Sequence, residues 1–284
     1  LRLEKTSISL KTIIFNMKKL KKTFKAIFEI IKNPWLLNTI LDNDVVWKNY
    51  IHKLYNNINA LPVVEIDELI PNFKATLNCF AVLEGGSLPT DIALLQSMSK
   101  RFENASYFEI GTWRGESVTN VAPYAKECYT LSLSKNELLA FGFDEKYADL
   151  HGYFSKKNPS IIHLEGNSLT YDFAALNKKF DVIFIDGDHH YESVKIDTEN
   201  VFKHLVHDKS IVIWHDYAYN PEKVRPEVFA AILDGTPKDK HKNVYHVSNS
   251  LCAIYINQSF KTHALEDYNT PNKVFEITIE SKRL

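Results

Sequence analysis

The stretch Phe180–Val194, FDVIFIDGDHHYESV, decides the fold. Asp181–Ile185 is apolar after its first residue, which suits a strand buried on both faces, and such strands belong to parallel sheets covered by helices. The run stops at Asp186, Asp188, His189 and His190, delivered within five residues of the strand's carboxyl end. Polar density that high after an apolar strand points to chemistry rather than to packing. Asp186 is suited to a metal or a cationic centre, and His189 to a general base. His190, taken alone, reads as a helix cap or a solvated side chain.

Working outward, the runs Tyr107–Ile110, Cys128–Leu133, Ser160–Leu164 and Ser210–Trp214 repeat the pattern, with helical stretches between them. Spacings of about 20–30 residues imply right-handed βαβ units. Val244–Val247 and Leu251–Ile256 are separated only by Ser-Asn-Ser. That is too short for a crossover, so the two predict an antiparallel hairpin at a sheet edge. The fold class expected is α/β: a doubly wound, mostly parallel seven-stranded sheet with an antiparallel C-terminal hairpin and an N-terminal helical extension. Its ligands should bind beyond the carboxyl ends of the strands.

Glycine marks that rim. Only 9 of 284 residues are glycine, well under the usual share of about 7%, yet Gly111, Gly115, Gly166 and Gly187 all follow predicted strands. In FEIGTWRGES, Phe108–Ser117, Gly111 turns the chain and Gly115 permits a close approach of the next helix. Ser117 falls in that helix's first turn, with its hydroxyl available to an anion. Trp113 occupies the second glycine position of the dinucleotide fingerprint G-x-G-x-x-G, which argues against a pyrophosphate and against a nicotinamide-dependent oxidoreductase. In SIVIWHDYAYNP, Ser210–Pro221, His215 and Asp216 reach the same rim. Asp186 and Asp216 could share a divalent cation through oxygen ligands, or Asp216 could orient an imidazole.

Composition sets the boundaries. Thirty-four basic and thirty-five acidic residues give a net charge of −1, so no global field recruits nucleic acid. Cys79, Cys128 and Cys252 are odd in number and widely spaced, which excludes a disulfide scaffold and suits a reducing cytoplasm. No apolar run approaches about 18 residues, so no transmembrane span is expected, and no signal peptide is recognisable. Charge is nonetheless segregated: residues 1–34 hold nine basic side chains against two acidic ones. Ile13, Met17, Leu20, Phe24, Ile27, Phe28 and Ile31 recur there at helical spacing, with lysines between them. The favoured reading is an arm packed on the body or on a second subunit of a homo-oligomer; the second is a membrane-surface helix. Residues 35–104 read as mostly helical, a cap over the ligand site or a dimer surface, with Ser87 or Thr90 capping the helix that follows. Residues 105–257 form the ligand-binding core, and 258–284 a tail with room for one more strand.

The three motifs, in this order, resemble class I S-adenosylmethionine-dependent methyltransferases, in particular the small-molecule O-methyltransferase branch of catechol and macrolide-sugar enzymes. The resemblance covers roughly residues 88–257 and is most specific in Asp-Gly-Asp-His-His-Tyr-Glu-Ser and Trp-His-Asp-Tyr. It implies a Rossmann-like fold and S-adenosyl-L-methionine as cofactor. Glu109, Gly111, Thr112, Gly115 and Ser117 would receive the methionine part, Asn167 and Ser168 would lie by the adenine, and Asp186 would lie near the sulfonium. In metal-dependent members the residue matching Asp186 ligates magnesium, so Asp186 and Asp216 are the implied metal ligands. Two positions depart from the pattern. Ser132 stands where an acid normally grips the ribose and can offer one hydrogen bond but not a bidentate pair. His215-Asp216 replaces an acid-amide or acid-acid pair, and imidazole is a poor partner for magnesium. His189 or His215 would then act as the base, beside Asp216. The expected function is O-methylation of a small-molecule hydroxyl on a sugar, aromatic or natural product. The alternative is a non-catalytic binding module that keeps the fold.

Overall fold

A computed structural model describes residues 10–41 and 43–283 of the chain; the calls on Arg2, Glu4 and Lys5, and on the Ile13 side chain, lie outside what it describes. The chain divides into two compact units, Leu1–Asn49 and Tyr50–Leu284. The first holds α1 (Leu10–Lys32), α2 (Leu36–Leu41) and the start of α3 (Asp44–Leu54).

The second unit is built on one eight-stranded sheet. Its strands are β1 (Val63–Val64), β2 (Ser106–Ile110), β3 (Glu127–Ser132), β4 (Ile161–Glu165), β5 (Val182–Ile185) and β6 (Ile211–Trp214). A small separate ribbon, β7 (Ala218–Asn220) with β8 (Lys223–Val224), precedes the last two strands, β9 (Val244–Val247) and β10 (Ala253–Tyr255). The order across the sheet is β1-β9-β10-β6-β5-β2-β3-β4. The pairs β4-β3, β3-β2, β2-β5 and β5-β6 are parallel, whereas β10 runs antiparallel to both β6 and β9. The doubly wound sheet with its terminal hairpin is therefore as the apolar runs indicate. The chain travels outward from β2 to β4 and returns to place β5 beside β2. That reversal is the topological switch point, where such sheets bind ligands.

All four residues of β5 and all four of β6 are buried, as central strands with helices on both faces require. The helices on the sheet are α5 (Pro89–Ser99), α6 (Glu116–Val121), α7 (Lys135–Ala140), α8 (Glu145–Leu150), α9 (Tyr191–Asn200) and α10 (Pro226–Gly235), with α4 (Ile66–Leu69) a single turn after β1. On one face Leu94, Leu95 and Met98 of α5 and Val118 and Val121 of α6 meet Tyr107, Phe184 and Ile213. On the other, Trp214 donates its indole N–H to the Thr198 hydroxyl of α9 at 2.8 Å.

Four expectations need correction. An eighth strand exists: β1 pairs in parallel with β9, through Val63–His246 and Val64–Val247. Two residues are too few to show a period. Residues 35–104 are less helical than their apolar spacing suggests, because 70–88 runs without helix or strand. The cap of α5 is neither Ser87 nor Thr90: the N-cap is Leu88, and Asp91 in the first turn accepts the Leu88 N–H at 2.7 Å. In the tail, described residues 258–283 form no strand; His263 makes one isolated bridge to Val63.

Candidate active site

The loops after β2, β5 and β6 meet at the switch point. Gly111 leaves β2 with φ +95°, and a Cβ there would sit 1.9 Å from the Asp186 carbonyl oxygen. Glycine is obligatory because two loops touch backbone to backbone. Gly115, with φ +79°, begins α6, and a Cβ on it would meet Ser155 Oγ at 2.2 Å. The loop is also held from outside. Glu84 carbonyl accepts from Arg114 Nη1 at 2.8 Å, Glu116 Oε1 accepts the Ala81 N–H at 2.8 Å, and Asn120 Oδ1 accepts the Asn78 N–H at 3.0 Å. The irregular 70–88 segment is thus tied down over the glycine loop.

The side chains of this loop do not all face a ligand. Glu109 is fully buried and accepts from Ser117 Oγ at 2.6 Å, Tyr107 Oη at 2.8 Å and Thr130 Oγ1 at 3.1 Å. Burial pushes its carboxyl up to about 8, with the charge of Asp186 acting in the same direction, although the three hydroxyls favour the ionised form. Thr112 Oγ1 pairs with Thr130 Oγ1 at 2.6 Å, again buried. In this structure the side chains of Glu109, Thr112 and Ser117 are engaged with one another and with Tyr107 and Thr130. Strand alternation turns Glu109 into the layer between sheet and α6, and Ser117 satisfies that carboxyl instead of an external anion. These three residues shape the loop from beneath; Gly111 and Gly115 are on its turn.

Ser132 ends β3 half-buried, and its hydroxyl has no hydrogen-bond partner among the described residues. Its carbonyl accepts the Gly166 N–H at 2.9 Å. Asn167 Oδ1 accepts the Leu169 N–H at 3.0 Å, which fixes the turn after β4. Ser168 interacts with Asp197 of α9, whose carboxyl burial pushes up to about 7 and whose Oδ1 lacks a partner.

Beyond β5 and β6 the charged residues converge. His215 Nδ1 lies 3.0 Å from Asp186 Oδ1 and 3.4 Å from Asp216 Oδ2, and its Nε2 lies 3.3 Å from Asp91 Oδ2. Burial alone would favour neutral imidazole, but the charges and hydrogen bonds of Asp186, Asp216 and Asp91 hold it well above the ordinary histidine range. With both ring nitrogens facing carboxylates, His215 is a cation that ties three acids together. In that state His215 holds its proton among the three acids rather than accepting one. Burial raises Asp186, with His215 opposing. Burial would raise Asp216 too, but His215, Arg225 and His189 bring it down to about 2. Arg225 Nη2 lies 3.3 Å from Asp216 Oδ1. Asp216 is thus an ionised positioning group, and it adopts φ +55°, a left-handed conformation that Asp tolerates better than most residues.

His189 stands apart from this clamp. It is exposed, stacks on His190 at 5.3 Å between ring centroids, and lines the same small pocket as Asp186, Gly187, His215 and Asp216. Asp188 accepts from Ser193 Oγ at 2.8 Å and pairs with His190 Nδ1 at 2.5 Å, so that pair serves the turn into α9. Asp91 was absent from the sequence reading. It lies 124 residues before His215 and has the look of a helix-start acid. Arg225 was missed too, and its chain distance from Asp216 gave no helical or strand period to notice.

Residues 108–217 match the family model described as a methyltransferase domain. That stretch, less than half of the chain, is what is similar to a methyltransferase domain. The match takes in the glycine loop, the Asp186 rim and His215-Asp216, which lie on a mostly parallel, Rossmann-like sheet. An uncharacterized protein of Acanthamoeba polyphaga mimivirus is 27% identical over 151 residues, which is 50% of this chain and 66% of that protein. Two solved structures are also similar. An O-methyltransferase from Bacillus cereus in complex with SAH shows 14% identity over 76% of this chain and 100% of its own, with TM-score 0.41. An SAH-bound Podospora anserina methyltransferase shows 16% identity over 74% of this chain and 93% of its own, with TM-score 0.43.

Proposed function

We propose that this protein transfers a methyl group from S-adenosylmethionine to a hydroxyl of a small molecule such as a sugar, an aromatic or a natural product. The observation that carries the reading is the acidic, histidine-bearing rim of Asp186, His189, His215 and Asp216 beside Gly111, at the β2–β5 switch point of a methyltransferase domain. The half-buried Ser132 hydroxyl, unpartnered at the end of β3, fits a ribose hydroxyl. Asn167 and Ser168 would flank the adenine. When bound, the sulfonium donor supplies an activated methyl group.

What the chain contributes is alignment and a proton path. The glycine loop and Asp186 would hold the donor while the acceptor enters over the pocket edge, converting a bimolecular encounter into an oriented displacement. His189 accepts the hydroxyl proton as the acceptor oxygen takes the methyl carbon.

The same residues fit a divalent cation. Asp186, His215 and Asp216 each offer a ligand atom within 4.8 Å of one another, and a cation held there would take the place of the proton on His215 Nδ1 between Asp186 and Asp216. Two oxygens and an imidazole nitrogen favour manganese, iron or zinc over magnesium. Such an ion would lower the acceptor's pKa. Cys79, Cys128 and Cys252 are unpaired thiols, in keeping with a cytoplasmic setting.

The test is transfer of isotopically labelled methyl from S-adenosylmethionine to a panel of sugar, catechol and macrolide hydroxyls. Label on an acceptor oxygen supports the reading. Tight donor binding with no transfer to any acceptor class would favour the non-catalytic module instead.

A further inference from the structure

Helix α1 is not used by any of this chemistry, and its two faces are unlike. Met17, Leu20, Phe24, Ile27, Phe28 and Ile31 are all large, apolar and between 49% and 71% exposed. At 100° per residue they fall within an arc of about 100°. Lys18, Lys19, Lys21, Lys22, Lys25 and Lys32 occupy the remainder and are exposed. Glu29 is the single acid in the helix. Trp35, just beyond its end, is 66% exposed. No helix among the described residues is long and apolar enough to cross a membrane.

We propose that α1 is an interfacial anchor that lies flat on an anionic lipid surface. Its apolar stripe would enter the acyl boundary while the flanking lysines reach back to the headgroups. Three observations favour lipid over a second copy of the chain. A helix–helix seam is normally flanked by acids and bases in complementary positions, and α1 offers a nearly unbroken set of lysines with one acid. Two copies would bring like charge together; an anionic bilayer supplies the missing negative charge. Lysine stems are also long enough to stay charged in the headgroup layer while the backbone sinks below it. Phe24, Phe28 and Trp35 add the aromatic side chains that suit a membrane–water boundary.

The proposal is independent of the methyltransferase reading, and its test needs no turnover. The full chain is floated with vesicles of phosphatidylcholine holding about 30% phosphatidylserine, and with pure phosphatidylcholine vesicles as control. Binding is expected to the first and not the second, and to be released by about 0.5 M salt. Lys21→Glu/Lys22→Glu/Lys25→Glu and, separately, Phe24→Ser/Phe28→Ser should each lower the bound fraction at least about tenfold. The melting temperature of the sheet-bearing unit should not change. Failure to bind either vesicle, or binding equal in wild type and the charge-reversed variant, overturns the proposal. So does a dimer in sedimentation that Phe24→Ser/Phe28→Ser turns into a monomer without any vesicle binding, since the stripe would then be a self-association seam.

Discussion

Replacing Glu109 by Gln should make the protein more stable in mild alkali, against the usual outcome of removing a buried, thrice-bonded side chain. The carboxyl titrates near 4.5 when unfolded and is pushed up to about 8 when folded, chiefly by burial. Between those values the unfolded chain releases a proton that the folded chain keeps, so stability falls as pH rises through the window. The gap corresponds to roughly 5 kcal/mol by linkage, and roughly 3–5 kcal/mol is expected once the native state relaxes. Glutamine keeps an acceptor oxygen for Ser117, Tyr107 or Thr130 and has no charge to bury. Urea unfolding at about pH 5.5 and about pH 8.5, on wild type and Glu109→Gln, gives the answer as a double difference. Asp197, also raised by burial, contributes the same slope to both proteins and cancels; Asp186 repels the Glu109 charge, so removing that charge in the variant adds to the difference in the same direction. The variant should gain on wild type by several kcal/mol between the two pH values. Parallel curves would refute the reasoning, because Glu109 would then be titrating alike in both states.

Other perturbations address the site. His189→Ala should lower methyl transfer by about 10²–10⁴ while leaving the calorimetric affinity for S-adenosylhomocysteine unchanged; loss of affinity instead would make it a binding residue. Ser132→Asp should tighten that affinity by about 1–2 kcal/mol, and weaker binding would remove Ser132 from the ribose. Asp91→Ala should destabilise the fold by roughly 3 kcal/mol in urea, since it strips an α5 first-turn acceptor, the Leu251 N–H partner and one counter-charge of His215. A loss under 1 kcal/mol, about the scale of a surface pair, would contradict the clamp. Chelation should depress transfer and manganese should restore it more fully than magnesium; activity indifferent to chelators would leave His215 and Arg225 as the counter-ions of these acids.

The sheet was legible because its central strands are buried on both faces, so apolar runs such as Val182–Ile185 and Ile211–Trp214 stand out from their surroundings. The rim was legible for the complementary reason: Asp186, His189, His215 and Asp216 follow those runs directly. What the sequence hid was direction. Glu109 sits two residues before a loop that holds ligands in this kind of fold, yet strand alternation sends it inward to Ser117. The role of His215 depends on Asp91, which arrives from a helix 124 residues earlier. With that acid unseen, an imidazole beside two carboxylates reads as a base; with it, both ring nitrogens are occupied. Strand β1 and the irregular 70–88 segment leave no periodic signal at all, since one is two residues long and the other is fixed by contacts to Arg114, Glu116 and Asn120.

The most direct measurement is a crystal structure of the chain with S-adenosylhomocysteine. The account predicts the ligand beyond the carboxyl ends of β2 and β5, with its ribose within hydrogen-bond distance of Ser132 Oγ and its sulfur on the pocket edge formed by Asp186 and His189. A ligand bound on any other part of the sheet, or a ribose held with Ser132 out of reach, would contradict it.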